Sequence, residues 1–195
     1  MKKLLITGFE SFGGENINPS WKAVERLSRE IGEYSLTKLC LPVVFGLASK
    51  KVIELSAEID PDVILCVGQA GGRSAITPEL VGINLRNGSI PDNDGYKPVD
   101  EPIIPNGADA YFSSIPVRKI SESISKEGIP SAVSYSAGTY VCNDVLYTLL
   151  AHFKNTKTRI GFIHVPYSEE QNRSPSMKLD DIIKGLSIAS NNLDS

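Results

Sequence analysis

Val63-Ile64-Leu65-Cys66-Val67 is an unbroken apolar run that stops at Gly68-Gln69. A strand with one wet face alternates apolar and polar residues, whereas a strand covered on both faces does not. The run is therefore expected to lie inside a sheet, with other layers packed above and below it. Working outward, Leu47 to Ile59 has the length and patterning of a helix, and Thr37 to Val43 reads as a strand before it. Leu4-Leu5-Ile6 is a buried first strand, and Pro19 to Ile31 a helix with Trp21, Val24, Leu27 and Ile31 at helical spacing and Pro19 in its first turn. Downstream, Ala132 to Tyr135 and Ile160 to Val165 read as strands. Helical sequence comes after each, over Tyr140 to Phe153 and Met177 to Ala189. Strands alternating with helices predict an α/β fold: a single-domain α/β/α sandwich over residues 1–195, its twisted sheet mostly parallel and its helices on both faces. Leu80 to Pro116 breaks the pattern, being rich in Gly, Pro, Asn and Asp without helical period. A short hairpin and a covering loop are expected there, serving either as a lid or as a subunit contact.

Composition narrows the function. The 195 residues carry 20 basic and 23 acidic side chains, a net charge of −3, which is too mild and too mixed for a nucleic-acid or membrane-surface partner. The apolar stretch after Met1-Lys2-Lys3 is too short for a signal peptide, and no run is long enough to span a bilayer. Three cysteines, Cys40, Cys66 and Cys142, are odd in number and widely spaced. They fit free thiols in a reducing cytoplasm. Two distant histidines and no cysteine pair offer no metal-ligand spacing, so neither metal nor cofactor is expected.

In a parallel sheet, ligands gather beyond the carboxyl ends of the strands. The residues just beyond each predicted strand are therefore informative. After the first comes Gly8-Phe9-Glu10-Ser11-Phe12-Gly13-Gly14. Gly68-Gln69-Ala70-Gly71-Gly72-Arg73 comes after the Val63 run, with Glu79 shortly beyond. Ser136-Ala137-Gly138-Thr139-Tyr140-Val141-Cys142-Asn143 succeeds the Ala132 strand, and His164-Val165-Pro166-Tyr167 closes the last. A thiol, an imidazole, carboxylates and two Gly-rich loops thus reach one edge.

Cys142 falls in the first turn of a helix, where free N–H groups and the helix dipole would lower a thiol pKa and could hold an oxyanion. A lone cysteine is more often a small buried apolar residue, which is the reading for Cys66 and Cys40. His152 lies near a helix end and reads as structural; His164, where a buried strand runs out, is the candidate general base. A carboxylate on its ring would complete a triad, and Glu79 and Glu10 both qualify on the residues alone. The Gly68–Arg73 loop has the glycines and cation of an anion site, but it lacks the spacing of a P-loop or a dinucleotide fingerprint.

These segments together resemble the pyroglutamyl peptidase I family, the pyrrolidone-carboxylate peptidases. The likeness rests on Gly8-Phe-Glu-Ser-Phe-Gly-Gly with Asn18-Pro-Ser, Gly71-Gly-Arg-Ser-Ala-Ile-Thr-Pro-Glu79, Ile90-Pro-Asp-Asn, Ser136-Ala-Gly-Thr-Tyr-Val-Cys142-Asn and Gly161-Phe-Ile-His164-Val-Pro. It spans the chain from first strand to last helix. The resemblance implies a thiol omega peptidase with Glu79, Cys142 and His164 as catalytic residues, which chooses Glu79 over Glu10. Its substrates would be peptides with an N-terminal pyroglutamate, held with Phe9 and Phe12 on the ring, Ile90, Tyr140 and Val141 lining the pocket and Gln69 nearby. Arg86 would help at the oxyanion or in positioning, and Arg73 has no assigned role. A cytoplasmic homotetramer is also implied. Two positions depart from the pattern: Val44 stands where a small hydroxyl residue is common, and Gly82 where alanine is usual. Two other readings are a nucleoside phosphorylase-like transferase using the Gly68–Arg73 loop for phosphate, and an inactive relative that binds peptides.

Overall fold

The computed structural model describes residues 1–194. In chain order the elements are β1 (Lys2–Phe9), α1 (Pro19–Arg26), β2 (Glu30–Ile31), β3 (Tyr34–Leu41), α2 (Leu47–Ile59), β4 (Val63–Gln69), β5 (Thr77–Pro78) and β6 (Val81–Ile83). After these come β7 (Ala110–Phe112), α3 (Val117–Lys126), α4 (Val141–Phe153), β8 (Arg159–Val165), β9 (Tyr167–Ser168), a 3₁₀ turn (Glu169–Gln171), β10 (Ser176–Met177) and α5 (Leu179–Asn191). The main sheet runs β2-β3-β1-β4-β8-β5. Its central pairings β3–β1, β1–β4 and β4–β8 are parallel, and only the short edge strands β2 and β5 run antiparallel.

The Val63 run is β4, in the middle of this sheet, and its apolar residues divide by parity as a doubly covered strand requires. Val63, Leu65 and Val67 join Leu4, Ile6, Ile163 and Val165 in a core closed by α1, α3 and α5. Ile64 and Cys66 join Leu5, Ile160 and Phe162 in a second core under α2 and α4. The layering is α/β/α, with a mostly parallel sheet. In the 80–116 segment the expected short hairpin is instead an antiparallel pair, β6 against β7, joined by the long connection 84–109, and both strands pack against α4.

Three other local expectations change. The first helix ends at Arg26, and Ile31 belongs to β2, paired with Tyr34 across a turn where Gly32 adopts φ +57°. Ile31 and Tyr34 both enter the core, so the helical spacing of Ile31 was coincident with a strand's inward face. Ala132 to Tyr135 is not a regular strand: beside β5 and its flanks the chain forms only isolated bridges, at Ser131 and Ser134. Pro78 has no N–H to donate, so a continuous ladder cannot form beside it; Ser134 N–H instead donates to Pro78 O and Leu80 N–H to Ser134 O. Finally, α3 is a helix that the sequence patterning left unassigned, although Val117, Ile120 and Ile124 place one buried stripe on it. No helix among the described residues is long and apolar enough to cross a membrane.

Candidate active site

At the carboxyl edge of β1, β4 and β8 lies a cavity of about 190 Å³ lined by Phe9, Phe12, Asn18, Val43, Gln69, Ala70, Arg73, Ala137, Gly138, Tyr140, Val141, Cys142 and His164. Strand parity delivers the imidazole. His164 shares a face of β8 with Ile160 and Phe162, the face covered by α4, and its ring lies tilted at 49° to that of Phe162 with 4.8 Å between centroids. The register pairs His164 with Gly68 of β4 on one side and with Thr77 of β5 on the other.

Cys142 is the second residue of α4. That helix starts where it does because its first turn is fastened from the side. Asn143, fully buried, exchanges hydrogen bonds with Ile83 at 3.0 and 2.9 Å and donates to Leu85 O at 3.0 Å. Asp144, also fully buried, accepts from Gly46 N–H at 2.9 Å and from Arg86 Nε at 2.5 Å. Just upstream, Gly138 turns the chain with φ +77°, a left-handed conformation that glycine adopts without cost. Tyr140 occupies the N-cap position with no side-chain cap, so the N–H groups of the first turn remain available at the cavity. Above Gly68, Cys142 Sγ fills the place where a side chain would be: a Cβ on Gly68 would lie 2.8 Å from the sulfur.

Glu79, fully buried just past β5, accepts a hydrogen bond at Oε1 from His164 Nδ1 at 2.7 Å. A carboxylate can only accept there, so Nδ1 carries the proton and Nε2 keeps a free lone pair. The same Oε1 accepts from Arg73 Nη1 at 2.6 Å. Burial alone would raise the Glu79 carboxyl, but its bond to His164 and the Arg73 charge hold it below the usual range. Burial lowers His164 despite Glu79, and Arg73 adds to the lowering. The Cys142 thiol is pushed upward, first by burial and then by the Glu79 charge. The helix terminus does not offset these, so the shift runs opposite to the lowering expected from the helix start alone.

The other expected positions divide. Phe9, Phe12, Gln69, Tyr140 and Val141 all line the cavity, with Phe12 tilted against Tyr140 at 6.1 Å between ring centroids. Gln69 is oriented by Gln171, whose Nε2 donates to its Oε1 at 2.9 Å. Ile90 does not line the cavity; it is exposed beside Gly13. Arg86 also stands outside, held by Asp144, which makes a direct contact with an oxyanion in the cavity unsupported and leaves it the positioning half of its expected role. Glu10, the rival carboxylate, accepts from Asn93 Nδ2 and Val43 N–H and belongs to the loop framework. Val43, not its neighbour Val44, faces the cavity. At Gly82 a Cβ would stand 3.0 Å from Tyr147 N, so glycine lets β6 pack close against α4. Arg73, Ala137, Gly138 and Asn18 are cavity residues to which the sequence reading gave no role; each lies inside one of its motifs, which was the available signal.

A thiol at a helix start, an imidazole at a strand end and a buried carboxylate, brought together at one edge of an α/β/α sandwich, are the groups of a cysteine-type hydrolase. The comparisons with known proteins then place the chain more narrowly. The family model described as pyroglutamyl peptidase matches residues 2–194, and the chain belongs to that family. It is 48% identical to a pyrrolidone-carboxylate peptidase of Levilactobacillus brevis over 96% of this chain and 95% of the relative. A solved pyroglutamyl peptidase I of Bacillus amyloliquefaciens superposes with a TM-score of 0.95 at 48% identity, covering 99% and 97% of the two chains. The pyrrolidone carboxyl peptidase of Thermococcus litoralis, 38% identical, superposes at 0.94 over 99% and 93%. These likenesses give no support to the phosphorylase-like or inactive readings.

Proposed function

We propose that this chain removes N-terminal pyroglutamyl residues from peptides, using Cys142 as nucleophile, His164 as general base and acid, and Glu79 as the group that orients and supports the imidazole. The observation that carries the proposal is the convergence of Cys142, His164 and the Glu79–His164 hydrogen bond on one small, mostly apolar cavity.

A pyroglutamyl group is a flat neutral lactam without an α-ammonium. A site that selects it needs apolar walls and a few hydrogen-bonding groups, and no anionic anchor at the amine position. Phe9, Phe12, Val43, Tyr140 and Val141 supply such walls. The Gln69 amide is the polar group: with Oε1 occupied by Gln171, its N–H₂ is the end free to donate to the lactam carbonyl.

In the first step Cys142 Sγ bonds to the pyroglutamyl carbonyl carbon while the thiol proton passes to His164 Nε2. The oxygen takes up the negative charge beside the uncapped N–H groups of α4. The C–N bond then breaks, and the Nε2 proton leaves with the amine. Water, deprotonated by the same nitrogen, cleaves the thioester and returns the proton to sulfur. Arg86 acts at a distance, holding Asp144 and with it the start of α4.

Residues 1–195 read as one peptidase domain. The three free cysteines support work in a reducing cytoplasm. Exposed Ile90, Tyr96 and Val99 in the 80–116 segment support its use as a contact between subunits of a tetramer. Activity is tested by comparing a pyroglutamyl amide with the matched glutaminyl and prolyl amides. Cleavage of the first alone is expected, and equal cleavage of all three would defeat the proposed selectivity.

A further inference from the structure

Arg73 comes from the loop between β4 and β5, close behind Gln69 at the end of β4. The loop is seated by Ala70 N–H donating to Val165 O at 2.9 Å, and by Gly71, where a Cβ would come within 2.4 Å of the Tyr167 ring. From there the guanidinium reaches three residues at once. Nη1 donates to Thr77 Oγ1 at 2.6 Å and to Glu79 Oε1 at 2.6 Å, and Nη2 donates to Ser136 O at 3.0 Å. It therefore ties the end of β4, the β5 region and the approach to the nucleophile helix together around one carboxylate oxygen. That oxygen also receives the imidazole.

We infer that Arg73 is a positioning residue for the reaction, acting through Glu79: it anchors the carboxylate on which His164 rests and supplies the positive charge that the buried Glu79 needs. This deepens the proposed roles of Glu79, Cys142 and His164 and rests on them. The titratable groups packed about the imidazole are Glu79 beside β5, Arg73 on the β4–β5 loop and Cys142 on α4, with Cys66 of β4 beside the thiol. Arg73 is the one permanent cation among them. It opposes protonation of both Glu79 and His164, so its charge extends the pH range over which a neutral imidazole faces Cys142.

The test is the pH profile of kcat/KM for pyroglutamyl amide hydrolysis by wild type, Arg73→Gln and Arg73→Lys, with folding checked by circular dichroism. Arg73→Gln should move the acid limb to higher pH by about one unit and lower kcat by about 10- to 100-fold, with less change in KM. Arg73→Lys, retaining charge without the fork, should keep the acid limb near its wild-type position while kcat still falls. A folded Arg73→Gln whose rate drops uniformly with the limb in place would show a merely structural residue and overturn the inference. An upward displacement of the limb in Arg73→Lys equal to that of Arg73→Gln would also overturn it. If Arg73→Gln fails to fold, Arg73→Met, equally uncharged, takes its place with the same outcomes.

A second readout needs no turnover. The chain has two histidines, so His164 can be tracked by proton NMR, with His152→Gln fixing the assignment. Its midpoint should rise in Arg73→Gln; an unmoved midpoint contradicts the inference even if the peptidase reading holds. Failure of that reading shows separately, as hydrolysis surviving Cys142→Ser.

Discussion

Gly68 and His164 are register partners across β4 and β8, and the space that a Gly68 side chain would occupy is filled by Cys142 Sγ. Neighbouring parallel strands place paired residues on the same face, so the sulfur above Gly68 and the imidazole share one face of the sheet, and one glycine leaves room for the sulfur there. The close approach of the helix to the sheet explains the glycine; no unusual φ is involved.

Gly68→Ala should displace the thiol, since its Cβ would also meet Phe162 at 2.9 Å and neither neighbour is a loose surface chain. A misplacement near 1 Å at a reacting atom typically costs on the order of 10²-fold. Steady-state kinetics should show that loss mainly in kcat, with the protein folded; a near-normal kcat would mean that Sγ does not need this position.

Glu79→Gln keeps the shape of the side chain but removes its charge and allows the imidazole the wrong tautomer. Loss of about 10²- to 10⁴-fold in kcat is expected, by analogy with removal of the carboxylate in other triads. Activity within a few-fold of wild type would take Glu79 out of the mechanism.

The His164 imidazole is held below its ordinary value, so the acid limb of kcat/KM should fall below the usual histidine pKa of about 6.5. Folding stability carries the same sign. A depressed folded-state pKa means that the unfolded chain binds the extra proton first, so His164's contribution is complete above about 6.5 and declines as the pH falls through the folded value. Urea melts from neutral pH downward should show stability decreasing, and His164→Gln should flatten that part of the curve. An acid limb above 6.5 would contradict the assignment.

Arg86→Ala leaves the fully buried Asp144 with only the Gly46 N–H. Breaking a buried pair by removing one partner costs about 3–5 kcal/mol, and the low end is appropriate because Arg86 retains partial exposure. Chemical denaturation should reveal the loss, and kcat should fall along with it because Asp144 lies in the first turn of α4. Unchanged stability would mean that the pair does not fasten the helix.

Much of this fold was legible because a doubly covered parallel sheet writes itself as continuous apolar runs, and β4 and β8 are such runs. Strand ends also led to the candidate residues: His164 lies near the end of β8 and Glu79 just past β5, whereas Cys142 opens α4 after a segment that is not a strand, and only the family resemblance separated Glu79 from Glu10. Where the sequence misled, a long-range partner made the decision. Ile31 has helical spacing from Leu27, yet it pairs with Tyr34 through a turn. Ala132 to Tyr135 looks like a strand, yet its neighbour contains Pro78. The Cys142 environment was misjudged because a helix terminus is visible in sequence, whereas burial and the facing charge of Glu79 are not. Arg73 was visible inside its motif, but nothing local announces that its side chain crosses to Glu79 and Ser136.

The most direct test of the central claim is release of a fluorescent amine from a pyroglutamyl amide by wild type and by Cys142→Ser. The account predicts cleavage by the wild type, a loss of at least about 10³-fold in the variant, and abolition of wild-type activity by a thiol-alkylating reagent. Comparable rates from a folded Cys142→Ser variant, or no cleavage by reduced wild type, would contradict it.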